Sequence, residues 1–135
     1  MPDPTRILIT GISGFVGGYL LDACRARYSD ARIYGLVQSL TSPGSPGGAS
    51  PATDTRYDVL VADMVQPEAV RAAIAEARPD LIFHLAAQPS VAASWRDPMQ
   101  TLAINAGGAI NLLEAVRTEQ LAPLIVLVGS GEQYG

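Results

Sequence analysis

Five short apolar runs recur along the chain, separated by longer stretches in which polar and apolar residues mix. The runs lie at residues 6–10, 32–37, 58–61, 80–85 and 124–129. Each run is nearly continuous in hydrophobic character rather than alternating, which is typical of strands buried on both faces of a parallel sheet. The pattern therefore predicts a strand at each run and helices that cover both faces of the sheet.

Helical patterns fill three of the four segments between these runs. Pro67 and Pro98 each suit the first turn of a helix, where a missing N–H group costs no hydrogen bond. The predicted helices span residues 15–28, 67–77 and 98–118. Because strand and helix alternate, we expect a doubly wound α/β domain over residues 1–135 with right-handed crossovers and strand order 3-2-1-4-5.

One segment lacks periodicity and is rich in proline, glycine and serine. It covers residues 39–56, and we predict a flexible surface loop there. The strand and helix rhythm resumes after it, so it is not interpreted as a linker between domains.

Composition and charge restrict the functional classes. The net charge is −4, all nine cationic side chains are arginine, and no basic run occurs, so a nucleic-acid partner is not expected. No apolar stretch approaches the roughly 20 residues that cross a bilayer, and the first residues do not resemble a secretory signal. A cytoplasmic protein without a membrane partner or a metal site is predicted.

The most informative motif is Gly11-x-x-Gly14-x-x-Gly17, directly after the first apolar run and at the start of the first predicted helix. Gly11 permits a sharp turn off the strand, Gly14 permits backbone amides to approach a phosphate, and Gly17 permits close packing of helix and sheet. This arrangement is typical of a Rossmann-type site for the pyrophosphate of a dinucleotide. The alternative is a glycine-rich turn without a ligand.

Other candidate residues follow the remaining strands. Gln38 occupies the place where an acidic residue would favour NAD and an arginine would favour NADP; without a carboxylate there, we slightly prefer NADP. Asp63 is a candidate partner of the adenine amino group, or an exposed turn residue. Ala86 and Ala87 leave room for a ribose and nicotinamide. His84 is interpreted as a hydrogen-bonded core residue more readily than as a base.

Three further residues carry polar groups toward the same edge of the sheet. Asn105 lies on the apolar side of the long predicted helix, so we expect a buried amide that bridges backbone groups of neighbouring strands. Ser130 and Glu132 follow the fifth strand and could serve hydride chemistry on an alcohol or ketone, with Ser130 bonding the reacting oxygen and Glu132 moving a proton.

Taken together, these segments resemble the extended short-chain dehydrogenases/reductases of the NAD-dependent epimerase/dehydratase family. The matching blocks are TGISGFVG at 10–17, AD at 62–63, HLAAQPSV at 84–91, SWRDP at 94–98, NAGGAINLLEAV at 105–116 and GSGEQYG at 129–135. The likeness is greatest to GDP-mannose 4,6-dehydratases and GDP-4-keto-6-deoxymannose reductases. It implies an enzyme that binds NAD or NADP and acts on a nucleotide sugar, specifically a GDP-sugar.

The resemblance also implies roles for individual residues. The cofactor would contact Gly11, Gly14, Phe15, Val16, Gly17, Gln38, Asp63, Met64, Leu85, Ala86, Ala87 and Asn105. Gln88 and Ser90 would face the sugar. Ser130 stands at the place of the family's catalytic Ser or Thr, and Glu132 at that of the dehydratases' proton-abstracting Glu.

The chain also departs from the dehydratase pattern. Phe15-Val16 in the first turn and Ser130 in place of Thr are more like reductases and epimerases, and Gln38 replaces an arginine. The family's Tyr-x-x-x-Lys pair, with the sugar-binding C-terminal part, is absent. We therefore expect the N-terminal part of a nucleotide-sugar enzyme, homodimeric when complete, that binds cofactor but turns nothing over alone. The alternatives are a non-catalytic NAD(P)-binding sensor or interaction module, and part of a UDP-sugar 4-epimerase.

Overall fold

A computed structural model describes residues 3–41 and 50–130. Its strands are β1 (Arg6–Thr10), β2 (Arg32–Val37), β3 (Asp58–Val61), β4 (Leu81–His84) and β5 (Leu124–Leu127). Within the described residues they form a five-stranded parallel sheet of order β3-β2-β1-β4-β5. The predicted fold class and strand order are confirmed, and the predicted β4 and β5 are each slightly too long.

The helices are α1 (Phe15–Arg27), α2 (Pro67–Ala77), α3 (Val91–Arg96), α4 (Pro98–Leu102) and α5 (Gly108–Thr118), with a π-helical turn over Ala103–Gly107. Because α4, the π turn and α5 follow one another without a break, the predicted helix over 98–118 is present, with one wider turn inside it. Helix α3 was not predicted, since none of its residues is buried and its sequence shows no apolar stripe.

Alternate residues of β1 point to opposite faces of the sheet, and each face is covered by helices. On one face Leu8 belongs to a core that includes Ile74 of α2 and Leu112 of α5. On the other face Ile7 packs in a core with Leu21 of α1. The expectation that helices cover both faces is therefore confirmed.

The chain enters β3 through a segment attached to α1. Arg56 contacts Asp54, and its Nη1 donates to Asp22 Oδ1 of α1 at 2.7 Å. Arg25 Nη1 of α1 in turn donates to the Arg56 carbonyl oxygen at 2.6 Å. The Arg56 guanidinium lowers the pKa of Asp54. The predicted loop over 39–56 lies partly outside the described residues, and its described end is anchored by these contacts.

Among the described helices, the structure contains none whose length and apolar character would suffice to cross a bilayer.

Candidate functional site

A cleft of about 660 Å³ lies at the carboxyl ends of β1 to β4. The strand ends are joined there by backbone hydrogen bonds: Gly11 N–H donates to the Leu36 carbonyl at 3.1 Å, and Leu85 N–H donates to the Thr10 carbonyl at 3.2 Å. Open parallel sheets bind their ligands at this edge, and the volume is that of a cofactor-sized pocket.

Nearly all of the predicted cofactor residues line this cleft. They are Gly11, Gly14, Phe15, Val16, Gly17, Gln38, Asp63, Met64, Leu85, Ala86 and Ala87, joined by the predicted sugar residue Gln88. The lining also contains residues that the sequence analysis did not single out: Ser13, Leu36, Val37, Ala62, Pro89 and Ile104. All six lie inside segments that the sequence analysis predicted as strand, motif or helix, where no individual role was assigned to them.

The glycine turn has the shape that its spacing predicts at two of three positions. Gly11 has φ +70°, a conformation that L-residues with a side chain rarely adopt, and a Cβ there would lie 2.8 Å from Ala86 N. A Cβ on Gly17 would lie 2.5 Å from the Ile12 carbonyl oxygen. The sharp turn and the close approach of α1 to that turn are therefore both present. At Gly14 a Cβ would meet only one close atom, Gly11 O at 3.2 Å.

The amino-terminal end of α1 opens toward the cleft with a favourable field for an anion. Its first turn, Phe15 to Gly18, carries no acidic side chain, and among the described residues no side chain caps it at Gly14. The backbone amides of a first helical turn and the helix dipole attract negative charge. Because the described lining contains no cation, this terminus is the feature that could hold a phosphate.

At the opposite rim, Gln38 and Asp63 form a pair. Gln38 Nε2 donates to Asp63 Oδ2 at 3.0 Å, and Val65 N–H donates to Asp63 Oδ1 at 3.1 Å. Asp63 is the one ionisable side chain in the described lining. Gln38, the residue after β2, is neutral, but the Asp63 carboxylate from the end of β3 lies beside it.

The predicted sugar residues hold the segment after β4 in place. Gln88 Nε2 donates to Thr101 Oγ1 at 3.1 Å, and Gln88 Oε1 accepts from Ser90 N–H. Ser90 Oγ accepts from Ala93 N–H at 3.2 Å and so caps α3. Ser90 lies beside the cleft rather than in its lining.

Asn105 was expected to be buried and to bridge neighbouring strands; both expectations are wrong. The residue is exposed, and its amide pairs with one residue after β4: Oδ1 accepts from Gln88 N–H at 2.7 Å and Nδ2 donates to Gln88 O at 3.2 Å. The prediction assumed 3.6 residues per turn, and the π turn that contains Asn105 breaks this phase. Asn105 thus supports the cleft wall without lining it.

Thr10 and His84 form a buried pair beneath the cleft. Thr10 Oγ1 lies 2.8 Å from His84 Nδ1 and accepts from Ala86 N–H at 3.1 Å. With Thr10 as the donor, Nδ1 accepts and the neutral imidazole carries its proton on Nε2. Burial lowers the pKa of His84. The expected hydrogen-bonded core histidine is confirmed.

This pair gives a pH prediction. The folded pKa of His84 is lowered, so the unfolded chain binds more protons below about pH 6.5, and the free energy of unfolding should fall there by up to roughly 1.4 kcal/mol for each pH unit between the two pKa values. Above that pH the stabilisation is complete. Urea unfolding from pH 8 to 5 measures the slope, and His84→Asn, which keeps an acceptor near Nδ1, should remove it. An unchanged slope in that variant contradicts the attribution of the slope to His84.

The predicted catalytic residues lie at the far end of the described chain. Ser130 is exposed and follows β5, whose Leu127 is aligned with His84 of β4, so it stands at the carboxyl edge of the sheet. It is not part of the cleft lining. Glu132 lies outside the described residues, so its predicted role stays a prediction.

A polar contact that the sequence analysis missed joins α5 to the rim of the cleft. Asn111 Nδ2 donates to the Met64 carbonyl oxygen at 2.8 Å. Gly108, one turn earlier, faces the Met64 side chain, and a Cβ there would lie 2.9 Å from Met64 Cβ. The available signal was an amide and a glycine on one side of an otherwise amphipathic helix.

Comparisons with known proteins agree with this geometry. Residues 8–135 match the sequence family described as GDP-mannose 4,6 dehydratase. The chain is 32% identical over 130 residues to UDP-glucose 4-epimerase of Mycolicibacterium smegmatis, covering 96% of this chain and 40% of that protein. It is 32% identical over 133 residues to GDP-6-deoxy-D-mannose reductase of Pseudomonas aeruginosa, covering 96% and 35%.

Among solved structures, UDP-glucose 4-epimerase of Thermus thermophilus, in complex with NAD, superposes with a TM-score of 0.73 and 31% identity. That match covers 88% of this chain and 36% of the epimerase. The chain therefore spans 35–40% of the length of the two curated relatives. The predicted family resemblance is confirmed, and a GDP-sugar protein and a UDP-sugar protein match it equally well.

Proposed function

Since the chain belongs to the GDP-mannose 4,6-dehydratase family of nucleotide-sugar enzymes, we propose that it is the part that binds the nicotinamide dinucleotide. One observation carries this proposal: the amino terminus of α1, approached closely at Gly17, opens into a cofactor-sized cleft whose described lining has no cation. A diphosphate fits such a terminus because backbone amides supply both the donors and the positive field.

Each wall of the cleft suits one portion of the dinucleotide. Gly14, Phe15 and Val16 would surround the diphosphate, and Asp63 with Met64 would hold the adenine. Leu85, Ala86 and Ala87 would lie against the second ribose and the nicotinamide, where small side chains leave room. When bound, the nicotinamide supplies a hydride acceptor. This chain's residues bind and orient it, and the apolar lining reduces its contact with water.

We propose NAD as the preferred cofactor, which departs from the slight preference for NADP that Gln38 alone suggested. The Gln38 amide is bound to the Asp63 carboxylate, so a negative charge lies at the rim where a 2′-phosphate would be placed. Charges of like sign there disfavour the phosphate, and the described lining offers no arginine to offset the repulsion.

The substrate of the whole protein is proposed to be a GDP-sugar, on the strength of the family match and the reductase relative. Ser130 would bond the reacting oxygen, and Glu132 would move a proton in a dehydratase. A UDP-sugar epimerase is the second candidate, favoured by the epimerase relative and by Phe15-Val16 in the glycine turn. Product analysis with GDP-mannose and UDP-glucose on the natural gene product separates the two. Dimerisation, cytoplasmic location and the inactivity of this chain alone stay predictions.

Calorimetric titration of the chain with NAD and with NADP tests the cofactor proposal. We expect saturable binding of NAD, weaker binding of NADP, and no turnover of either nucleotide sugar. Absence of heat with both cofactors would overturn the proposed function, and tighter binding of NADP would overturn the preference alone.

A further inference from the structure

We propose that Asn111 and Gly108 of α5 are positioning residues for the adenine side of the cleft, acting through Met64. The inference rests on the proposed cofactor function. Neither residue lines the cleft, yet both contact Met64, which does. Helix α5 would therefore determine the shape of the adenine subsite through Met64, without contacting the ligand itself.

Met64 lies in a tight turn that connects β3 to α2. Gln66 N–H donates to the Asp63 carbonyl at 2.9 Å, and Val65 N–H donates to the Asp63 carboxylate. These bonds fix the residues on either side of Met64 but leave its own carbonyl to a partner outside the turn. That partner is Asn111, whose side-chain amide donates to the Met64 carbonyl oxygen and so attaches the turn to α5.

Gly108 determines the position of the Met64 side chain by close packing. It is buried, and the Met64 Cβ occupies the space that a side chain at position 108 would need, at 2.9 Å. Met64 itself is only 6% exposed, so it has little freedom to move elsewhere. Helix α5 therefore fixes both the carbonyl group and the side chain of Met64. Asn111 binds the carbonyl oxygen, and the absence of a side chain at Gly108 leaves room for the Met64 side chain.

A structural role alone would affect all ligands of the cleft equally, whereas a positioning role is selective. The segment around Met64 belongs to the adenine side, and the segment over 85–88 belongs to the nicotinamide side and is held separately by Asn105. Displacing Met64 should therefore weaken binding of the adenosine half of the cofactor and spare the nicotinamide half.

Two variants disturb Met64 by different routes. Asn111→Asp keeps the size of the side chain but removes the N–H donor, and Gly108→Ala forces Met64 aside while favouring the helix. Gly107→Ala is the matched control, since a Cβ there meets only Leu102 O at 3.9 Å. Binding of ADP and of nicotinamide mononucleotide is measured for each by calorimetry or ligand-observed NMR. The Met64 methyl resonance reports on the wall directly.

We expect Asn111→Asp and Gly108→Ala each to weaken ADP binding roughly tenfold and to leave nicotinamide mononucleotide within twofold, with the Met64 methyl signal shifted in both. Gly107→Ala should match the wild type. ADP affinity unchanged in both variants, or an equal loss for the two ligands, overturns this inference while the cofactor proposal stands. Failure of the wild-type chain to bind ADP overturns the proposed function, and this inference with it.

Discussion

Gly17→Ala is expected to destabilise the chain by roughly 2 kcal/mol or more and to abolish measurable cofactor binding. The added Cβ would lie 2.5 Å from the Ile12 carbonyl oxygen and 2.6 Å from Ile12 Cα. Both are backbone atoms of the turn, so α1 must move as a unit. That movement takes the amides of its first turn away from the diphosphate position. Urea unfolding measures the first effect and calorimetry with NAD the second.

The gain of roughly 1 kcal/mol in helix propensity from glycine to alanine works against this loss, which is why a control is needed. Gly107→Ala is the same substitution at the last residue of the π turn, with open space around the new Cβ, 3.9 Å from its nearest neighbour. It should unfold at the same or a slightly higher urea concentration. If Gly17→Ala behaves like Gly107→Ala, the close approach of α1 is not what determines stability or binding here.

Asp63→Asn is expected to raise the affinity for NADP relative to NAD roughly tenfold. The variant keeps an oxygen for Val65 N–H, so the turn after β3 is retained while the charge is removed. Two unit charges about 4 Å apart interact by roughly 1 kcal/mol in water, and a phosphate monoester carries about 1.5 to 2 negative charges, which together give about 1.5 to 2 kcal/mol, a change of tenfold or somewhat more. The ratio of the two dissociation constants is the measurement.

Both affinities are expected to fall in this variant, because the adenine loses a charged acceptor, so only their ratio tests the charge effect. Glu68→Gln, an exposed carboxylate in the first turn of α2, changes the net charge equally and should leave the ratio unaltered. The same ratio in Asp63→Asn and the wild type would contradict the proposal that the Gln38 and Asp63 pair selects NAD. High salt should reduce the difference.

Most of the fold follows from local patterns in the sequence. The continuous apolar runs identify the strands because both sheet faces are buried, and Pro67 and Pro98 mark helix starts because only a first turn tolerates them. Helix α3 escaped detection since it buries none of its residues, and its cap at Ser90 is a single weak signal. The π turn escaped because no local pattern in Ala103–Gly107 distinguishes it from the α-helical turns on either side.

The arrangement of the site could be predicted where its residues lie in one short motif. It could not be predicted where residues from distant segments contact each other. Gly11 and Gly17 lie in one turn, so their spacing alone indicates the sharp turn and the close helix. The pair of Gln38 and Asp63 joins residues 25 positions apart, and Asn111 lies 47 positions from Met64. Such contacts depend on how parallel strands and crossover helices come together, which no local pattern encodes.

The attachment of Arg56 to Asp22, and of Arg25 to the Arg56 carbonyl, has a practical consequence for engineering the chain. These contacts fix the chain between the proline- and glycine-rich stretch and β3. Insertions or substitutions upstream of Ser50 should therefore leave the register of β3 unchanged. A reporter peptide inserted there would therefore be separated from β3 by a segment that is fixed to α1. Neutralising Asp22 and Arg25 together would remove these contacts. An insertion upstream of Ser50 should then shift the register of β3.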